Sequence, residues 1–294
     1  MQQHFTHIAV TGKPNDAGTA ETIQAITAFL RERGVEVALD AAAIAPDALP
    51  PGCRRAPLAE LVVDADMVIS VGGDGTLLHT GRLVAEHDIP VLGINRGRLG
   101  FLVDVPPQGF DGLDVVLAGD FIEEDRILLK AEVRQGDRVL AAGTALNDVV
   151  LYKWNTARMV EFVTHIDGRL LTAHRADGII IATPTGSTAY ALAGGGPIIH
   201  PSVDALALVP VCPHTLSNRP LVIGANSVVE VDVPAEDIER IGISCDGQDD
   251  LGLQPGSRLV VRQHDHRVRL IHPPQYDYYD ILRRKLRWGD TNLR

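Results

Sequence analysis

Five consecutive residues, Gly72-Gly73-Asp74-Gly75-Thr76, carry the clearest chemical signal in the sequence. They follow directly on Asp66-Met67-Val68-Ile69-Ser70-Val71, a short apolar run suited to a buried parallel strand. Glycines at such a place let the backbone turn sharply and approach a phosphate closely, while the Asp presents a carboxylate at the strand end. A carboxylate there can take the proton of an attacking hydroxyl, which contributes on the order of 10² to 10⁴ in rate. The rest of a phosphoryl transfer is positioning and charge stabilisation, usually with Mg²⁺. As a bare spacing, the same residues also fit an ordinary strand-to-helix turn with an Asp cap.

A second run has a similar logic. Ile179-Ile180-Ile181 reads as an apolar strand that Pro184 and Gly186 break before a helix starts near Ser187. Hydroxyls and backbone N–H groups then converge on one point, an arrangement that suits a ribose or a pyrophosphate as well as a plain N-capped helix. The sequence has no GxxxxGK[ST] and no GxGxxG after its first strand signal, so a P-loop lysine and the dinucleotide fingerprint are both missing. Phosphates have to be held in another way. His264-Asp265-His266 places two His on one strand face without a third ligand nearby, and reads as a solvated strand.

The elements that must position these residues alternate through the first third. A strand signal at His7–Val10 precedes a helical stretch from Thr19 to Arg33 that Gly34 stops, and Val35–Leu39 is strand-like. The Pro-rich stretch from Pro46 to Pro57 reads as a loop. Beyond the glycine turn, Thr76 to His87 has helical spacing and Pro90–Ile94 returns as a strand, completing a βαβ unit. Ligands of such sheets sit beyond the carboxyl ends of the strands, where the Gly72–Thr76 and Asn95–Gly100 turns both belong. His79, one helical turn beyond Gly75, shares the helix face nearest that end, or is simply a half-exposed helix residue. After Asp120 the rhythm changes to short strands with hairpin turns at Gln135-Gly136-Asp137, Asp167-Gly168 and Asp246-Gly247. The fold class expected is an open Rossmann-like α/β N-terminal domain, residues 1–122, followed by a β-sandwich-type domain, residues 123–273. A C-terminal helix within 274–294 is expected to pack back on the first domain, with Arg283-Arg284-Lys285 and Arg287 on its wet face.

At 294 residues and 45% apolar content, the chain is long enough for two cores. A formal charge of −11 disfavours nucleic acid and anionic membrane as partners, so an anionic small ligand needs local help from helix N-termini. The start, Met1-Gln2-Gln3-His4, has no basic or apolar leader, and no stretch is apolar over a membrane-spanning length, so a cytoplasmic location is expected. Cys53, Cys212 and Cys245 form no CxxC pair and are expected to be buried or half-buried apolar residues.

Five blocks together resemble the NAD kinases of the bacterial type. They are Gly72–Thr76, Gly93–Leu102, Asn147-Asp148, Asp177–Tyr190 and Pro213–Pro220, with Asp246-Gly247-Gln248 extending the match in the same order. The glycine turn alone is also similar to those of lipid kinases and phosphofructokinases. The resemblance implies that ATP, with a divalent cation (Mg²⁺), phosphorylates the 2′-hydroxyl of the adenosine ribose of NAD to give NADP, Asp74 being the base. It implies that Asp74 and Gly75 line the NAD site in a cleft between the domains, and that Asn147 and Asp148 hold ribose or adenine edges. An amide and a carboxylate can together donate to and accept from a diol, although Asn-Asp is also a common turn dipeptide. By the same similarity Thr188, Ala189, Tyr190, Ala191, Leu192 and Ala193 contact the dinucleotide. Arg158, Arg175 and Asp177 fall at NAD-contact positions, where each Arg also suits a surface ion pair, and Gln248 is supplied to a neighbouring subunit's site. Similar proteins are homodimers or homotetramers. A lipid kinase, or a nucleotide-binding regulator without the reaction, are the competing readings; the first would need a lipid-facing apolar surface and the second would be expected to lack Asp74.

Overall fold

The structure, a computed structural model, describes residues 4–96, 100–103, 105–106 and 110–288. Gly97-Arg98-Leu99, the start of the chain and its end beyond Trp288 lie outside these. The chain forms two compact units, one of the residues up to Glu124 together with those from Val268 on, the other of Asp125–Arg267.

In the first unit the chain runs β1 (His7–Gly12), α1 (Ala17–Glu32), β2 (Glu36–Asp40), β3 (Arg54–Ala56), α2 (Leu58–Leu61), β4 (Met67–Gly72), α3 (Asp74–Val84), β5 (Val91–Asn95) and α4 (Asp111–Leu117). The strands are parallel in the order β3-β2-β1-β4-β5. All six residues of β4 are buried, as its unbroken apolar run requires of a strand covered on both faces. Helix α1 starts at Asp16, whose side chain accepts from the Thr19 amide at 2.8 Å, and it buries Ile23, Ile26 and Leu30 in the core with Ile8, Val10, Leu39, Ile69 and Leu92. From β1 the chain winds outward to β2 and β3, then returns to the other side of β1 to make β4 and β5. The strand order therefore reverses between β1 and β4, and their carboxyl ends, at Gly12 and Gly72, flank the crevice that such a reversal opens. The Pro46–Pro57 stretch is not wholly a loop, because Arg54–Ala56 pairs with Ala38–Asp40 as the edge strand. Its three residues are too short for periodicity to register.

The second unit contains β6 (Ile122–Gln135), β7 (Arg138–Ala145), β8 (Asp148–Lys153), β9 (Val160–Ile166), β10 (Arg169–Ala176), β11 (Gly178–Ala182), α5 (Tyr190–Ala193), β12 (Ala205–Val211), β13 (Leu221–Gly224), β14 (Val229–Asp232), β15 (Ile241–Cys245), β16 (Asp249–Asp250) and β17 (Arg258–His272). One sheet holds β10-β9-β14-β17 with the β6–β7 hairpin, and the other β13-β12-β11-β8-β15-β16, antiparallel throughout. Alternate side chains of both sheets, among them Leu129, Leu151, Phe162, Ile181, Val231 and Leu259, meet in one core, which makes a β-sandwich. The outer face of the second sheet is covered by Ala191 and Ile199 over Val150, Ile180, Ala207 and Val209. The helix expected near Ser187 is two short turns, Gly186–Thr188 and Tyr190–Ala193.

The last residues of β17, Leu270 and Ile271, pair in parallel with Val91 and Leu92 of β5 in the first unit, and α6 (Tyr278–Leu286) buries Tyr278, Ile281 and Leu282. Arg283 and Arg284 are exposed on that helix. Cys53 is half-buried and Cys245 buried, but Cys212 is exposed, because the chain turns at φ 45° directly after β12 ends at Val211.

Candidate active site

The glycine turn lies where the strand reversal predicts, at the carboxyl end of β4. Helix α3 begins on Asp74 itself, with Gly73 as its cap, and Thr76 and Leu77 donate to the Gly73 carbonyl at 3.0 and 3.2 Å. Its back is fixed to β4 through the Ser70–Thr80 hydroxyl pair at 3.1 Å. The neighbouring chain ends close in on the turn: Lys13 N–H donates to the Val71 carbonyl at 3.1 Å and Arg96 N–H to the Gly72 carbonyl at 2.8 Å. The side chains of these two residues lie at the start of α1, Lys13 Nζ 4.0 Å from the Asp16 carboxylate and the Arg96 guanidinium against Gly18.

Asp74 is half-buried, and its carboxylate is fixed from across the turn. Oδ2 accepts from the Phe101 amide at 2.9 Å and Oδ1 from the Leu102 amide at 3.2 Å. Gly100 permits this approach, because a Cβ on it would stand 1.9 Å from Asp74 Oδ1. Among the described residues outside their own turn and helix, nothing lies within 4 Å of a Cβ placed on Gly73 or on Gly75. No described side chain therefore packs against those two positions, which lie beside the carboxylate. Gly75 and His79 are exposed on the same side of α3, opposite Leu77, Leu78 and Val84.

In the second unit a cavity of about 590 Å³ is lined by Asn147, Asp148, Val150, Tyr152, Lys153, Asp177, Ala189, Tyr190, Val211, Ser244, Asp246 and Gly247. It gathers Asn147, Asp148, Asp177, Ala189 and Tyr190 from the expected set. Asp148, Val150 and Tyr152 stand on one face of β8 at the strand period of two, a spacing by which the sequence signals Tyr152. Lys153 pairs with Asp177 at 2.8 Å, so Asp177 has a cation as its partner in the cavity wall. The other expected residues do not line it. Arg158 is exposed in the loop between β8 and β9, and Arg175 is exposed on β10. Thr188 turns its hydroxyl to the Thr185 carbonyl at 3.1 Å. Ala191 is buried under the outer face of the sheet, Leu192 is half-buried, and Ala193 and Gln248 are exposed.

The floor of this cavity is the segment Leu146–Asp148. Asp246 accepts from the three successive amides of Leu146, Asn147 and Asp148 at 2.9, 2.8 and 3.1 Å. Burial, and then the nearby Asp246 charge, push the Asp148 carboxyl up to about 7. Among the described residues, neither the Asn147 nor the Asp148 side chain makes a hydrogen bond within the protein, so both remain available to a ligand. No group of three His, Cys, Asp or Glu is gathered to cage a metal ion among the described residues. No helix among the described residues is long and apolar enough to cross a membrane.

Comparison with known proteins covers both units. Residues 8–121 match the model of the ATP-NAD kinase N-terminal domain and residues 146–273 that of the ATP-NAD kinase C-terminal domain. An NAD kinase of Halorhodospira halophila is 50% identical over 300 residues, spanning 98% of this chain and 96% of its own. The yeast NADH kinase, solved in complex with NADH, superimposes with a TM-score of 0.85 at 26% identity, over 98% of this chain and 89% of that one. An Archaeoglobus fulgidus NAD kinase solved in complex with ATP shares the fold, with a TM-score of 0.73 at 24% identity over 96% of this chain and 99% of that one. With both domain models matched in order and half of its residues shared with a relative of the same length, the chain belongs to the ATP-NAD kinase family.

Proposed function

We propose that the protein phosphorylates the 2′-hydroxyl of the adenosine ribose of NAD with Mg-ATP, giving NADP and ADP, and that Asp74 is the general base. The 2′-oxygen attacks the γ-phosphorus, the bond from that phosphorus to the β–γ bridging oxygen breaks, and the hydroxyl proton passes to Asp74. The observation that carries this reading is the Asp74 carboxylate itself, held by the Phe101 and Leu102 amides at a strand-reversal turn. Anchoring of this kind fixes where the carboxylate points without closing off its remaining lone pairs.

The N-terminus of α3, with Lys13 and Arg96 at the start of α1, supplies positive charge for donor phosphates in place of a P-loop lysine. Mg²⁺ bound through those phosphates would neutralise charge that develops on the transferred group. On the acceptor, Asn147 and Asp148 bind hydroxyl or amino edges, and Tyr190 offers a half-exposed aromatic face beside them. Asp177 and Ala189, which line the same cavity, contribute further contacts to the dinucleotide. By the resemblance the set extends to His79, Thr188, Leu192, Ala193, Arg158 and Arg175, and to Gln248 reaching a neighbouring subunit of a homodimer or homotetramer, whereas Ala191 is fully buried and offers a ligand no surface.

The test is NADP formation from NAD and Mg-ATP, coupled to an NADP-specific dehydrogenase. Asp74→Asn is expected to lower kcat at least about a hundredfold while NAD still binds. A variant that turns over within a few-fold of wild type would remove Asp74 as the base. NADH belongs beside NAD in the assay, because the similar yeast enzyme is an NADH kinase.

A further inference from the structure

The segment that presents Asn147 and Asp148 is held in an unusual way. Its three amides all donate to the one carboxylate of Asp246. Its three carbonyls are used as well: Leu146 O accepts from the Thr183 hydroxyl at 2.6 Å, Asn147 O from the Thr183 amide at 2.9 Å, and Asp148 O from the Asp246 amide at 2.9 Å. Thr183 and Asp246 thus clamp the segment from opposite sides, and the two side chains that face the cavity are left without protein partners. A Cβ on Gly186 would stand 2.0 Å from the Asn147 carbonyl, so the clamp is also tight on the Thr183 side. Buried backbone donors need acceptors; here a single side chain accepts from three.

We propose that Asp246 is a positioning residue of the acceptor pocket, which fixes the direction of Asn147 and Asp148 and controls the proton carried by Asp148. This rests on the reading of the cavity as the NAD site, and goes beyond it in assigning Asp246 a role. The carboxyls of Asp148 and Asp246 both line the cavity, at the start of β8 and just after the end of β15. The other groups facing Asp148 carry little net charge: Tyr152 and Tyr190 are phenols, Lys153 and Asp177 neutralise each other at the far end of β8, and β11 contributes only uncharged residues. Burial is the larger cause of the raised Asp148 carboxyl, and Asp246 is the neighbouring charge that adds to it, the Asp250 carboxylate on β16 acting on Tyr152. With its carboxyl near 7, Asp148 is partly protonated at neutral pH, and hydroxyl or amino donors of an entering nucleoside favour its charged form. Acceptor binding then releases a proton, and affinity rises as pH increases through that range.

Two variants test this. Asp246→Asn keeps the size of the side chain but opposes at least one backbone N–H with its own NH₂. It is expected to raise the KM for NAD about tenfold or more, with kcat within about threefold, since the loss falls on binding common to ground and transition states. In the free protein, ¹³C NMR of the Asp148 carboxyl is expected to show its midpoint lowered by about one unit in Asp246→Asn, the effect of removing a like charge. A merely structural Asp246 would not move that midpoint. Asp148→Asn is expected to make the KM for NAD independent of pH between 6 and 8, which keeps the proposal falsifiable if Asp246→Asn fails to fold. An unshifted Asp148 midpoint with an unchanged KM, or an Asp148→Asn enzyme with the wild-type pH dependence, would overturn the proposal. Wild-type protein that bound no NAD would instead sink the reading of the cavity, whereas the carboxyl titration needs no ligand and would still decide whether Asp246 governs Asp148.

Discussion

A methyl group on Gly100 would press into the carboxylate of Asp74, and there is little room for either to retreat while Phe101 and Leu102 donate to the same group. Gly100→Ala is therefore expected to swing the carboxylate by about an ångström and lower kcat on the order of a hundredfold, with the KM for NAD little changed. Steady-state kinetics beside a thermal melt separates that outcome from general destabilisation. Gly75→Ala makes the opposite test. Its added methyl meets no side chain among the described residues, and Ala favours the helix, so the variant is expected to melt no lower than wild type. A large loss of activity in that stable variant would locate the ligand's closest approach at Gly75. The sequence announces Asp74 because strand, glycines and carboxylate are adjacent in it. The βαβ reading brings the Asn95–Gly100 turn to the same strand ends, but the close approach of Gly100 to the carboxylate is not legible, because it depends on how that turn folds in three dimensions. Asp246 illustrates the same limit: as Asp246-Gly247 it reads as a hairpin turn, which it is, at φ 53° and 64°. Its hydrogen bonds to Leu146, Asn147 and Asp148 depend on β15 pairing with β8.

Hairpins were readable wherever turn chemistry is local. Asp167 and Gly168 adopt φ 51° and 72° and join Ile166 to Arg169, as a two-residue turn demands. What alternation does not reveal is which buried position carries a polar side chain. His174 faces Phe162 across that hairpin, stacks on its ring at 4.7 Å, and is 5% exposed with neither ring nitrogen hydrogen-bonded. Burial holds its pKa below the ordinary 6.5, so the unfolded chain binds the extra proton first. Stability is then full above pH 6.5 and falls as pH drops toward the folded-state value. His174→Phe removes that contribution and two unpartnered nitrogens, each costing about 1–3 kcal/mol where no water reaches them. Melting temperatures at pH 8 and pH 5 should fall further apart for wild type than for His174→Phe. Equal intervals in the two proteins would show that His174 is not the titrating group.

The two units differ in how the chain builds them, and that difference has a consequence for excision. Residues 125–267 are contiguous and enclose their own core, with Leu129, Leu151, Phe162, Ile181, Val231 and Leu259 from both sheets. The first unit is not contiguous. Leu270 and Ile271 must return to pair with Val91 and Leu92, Ile271 belongs to the core with Ile69 and Ile94, and α6 buries Tyr278, Ile281 and Leu282. A chain of residues 125–267 is thus expected to show a β-type circular dichroism spectrum and one cooperative urea transition, with a slope in keeping with its size. Residues 1–124 alone lose a strand and a helix from their core, and are expected to unfold without a cooperative transition. Joining residues 268–288 to them by a flexible linker should restore one, because the linker supplies only proximity and the missing contacts supply the stability. If residues 1–124 melted cooperatively without the C-terminal segment, the return of the chain through β17 and α6 would be a covering of a complete core and not a part of it.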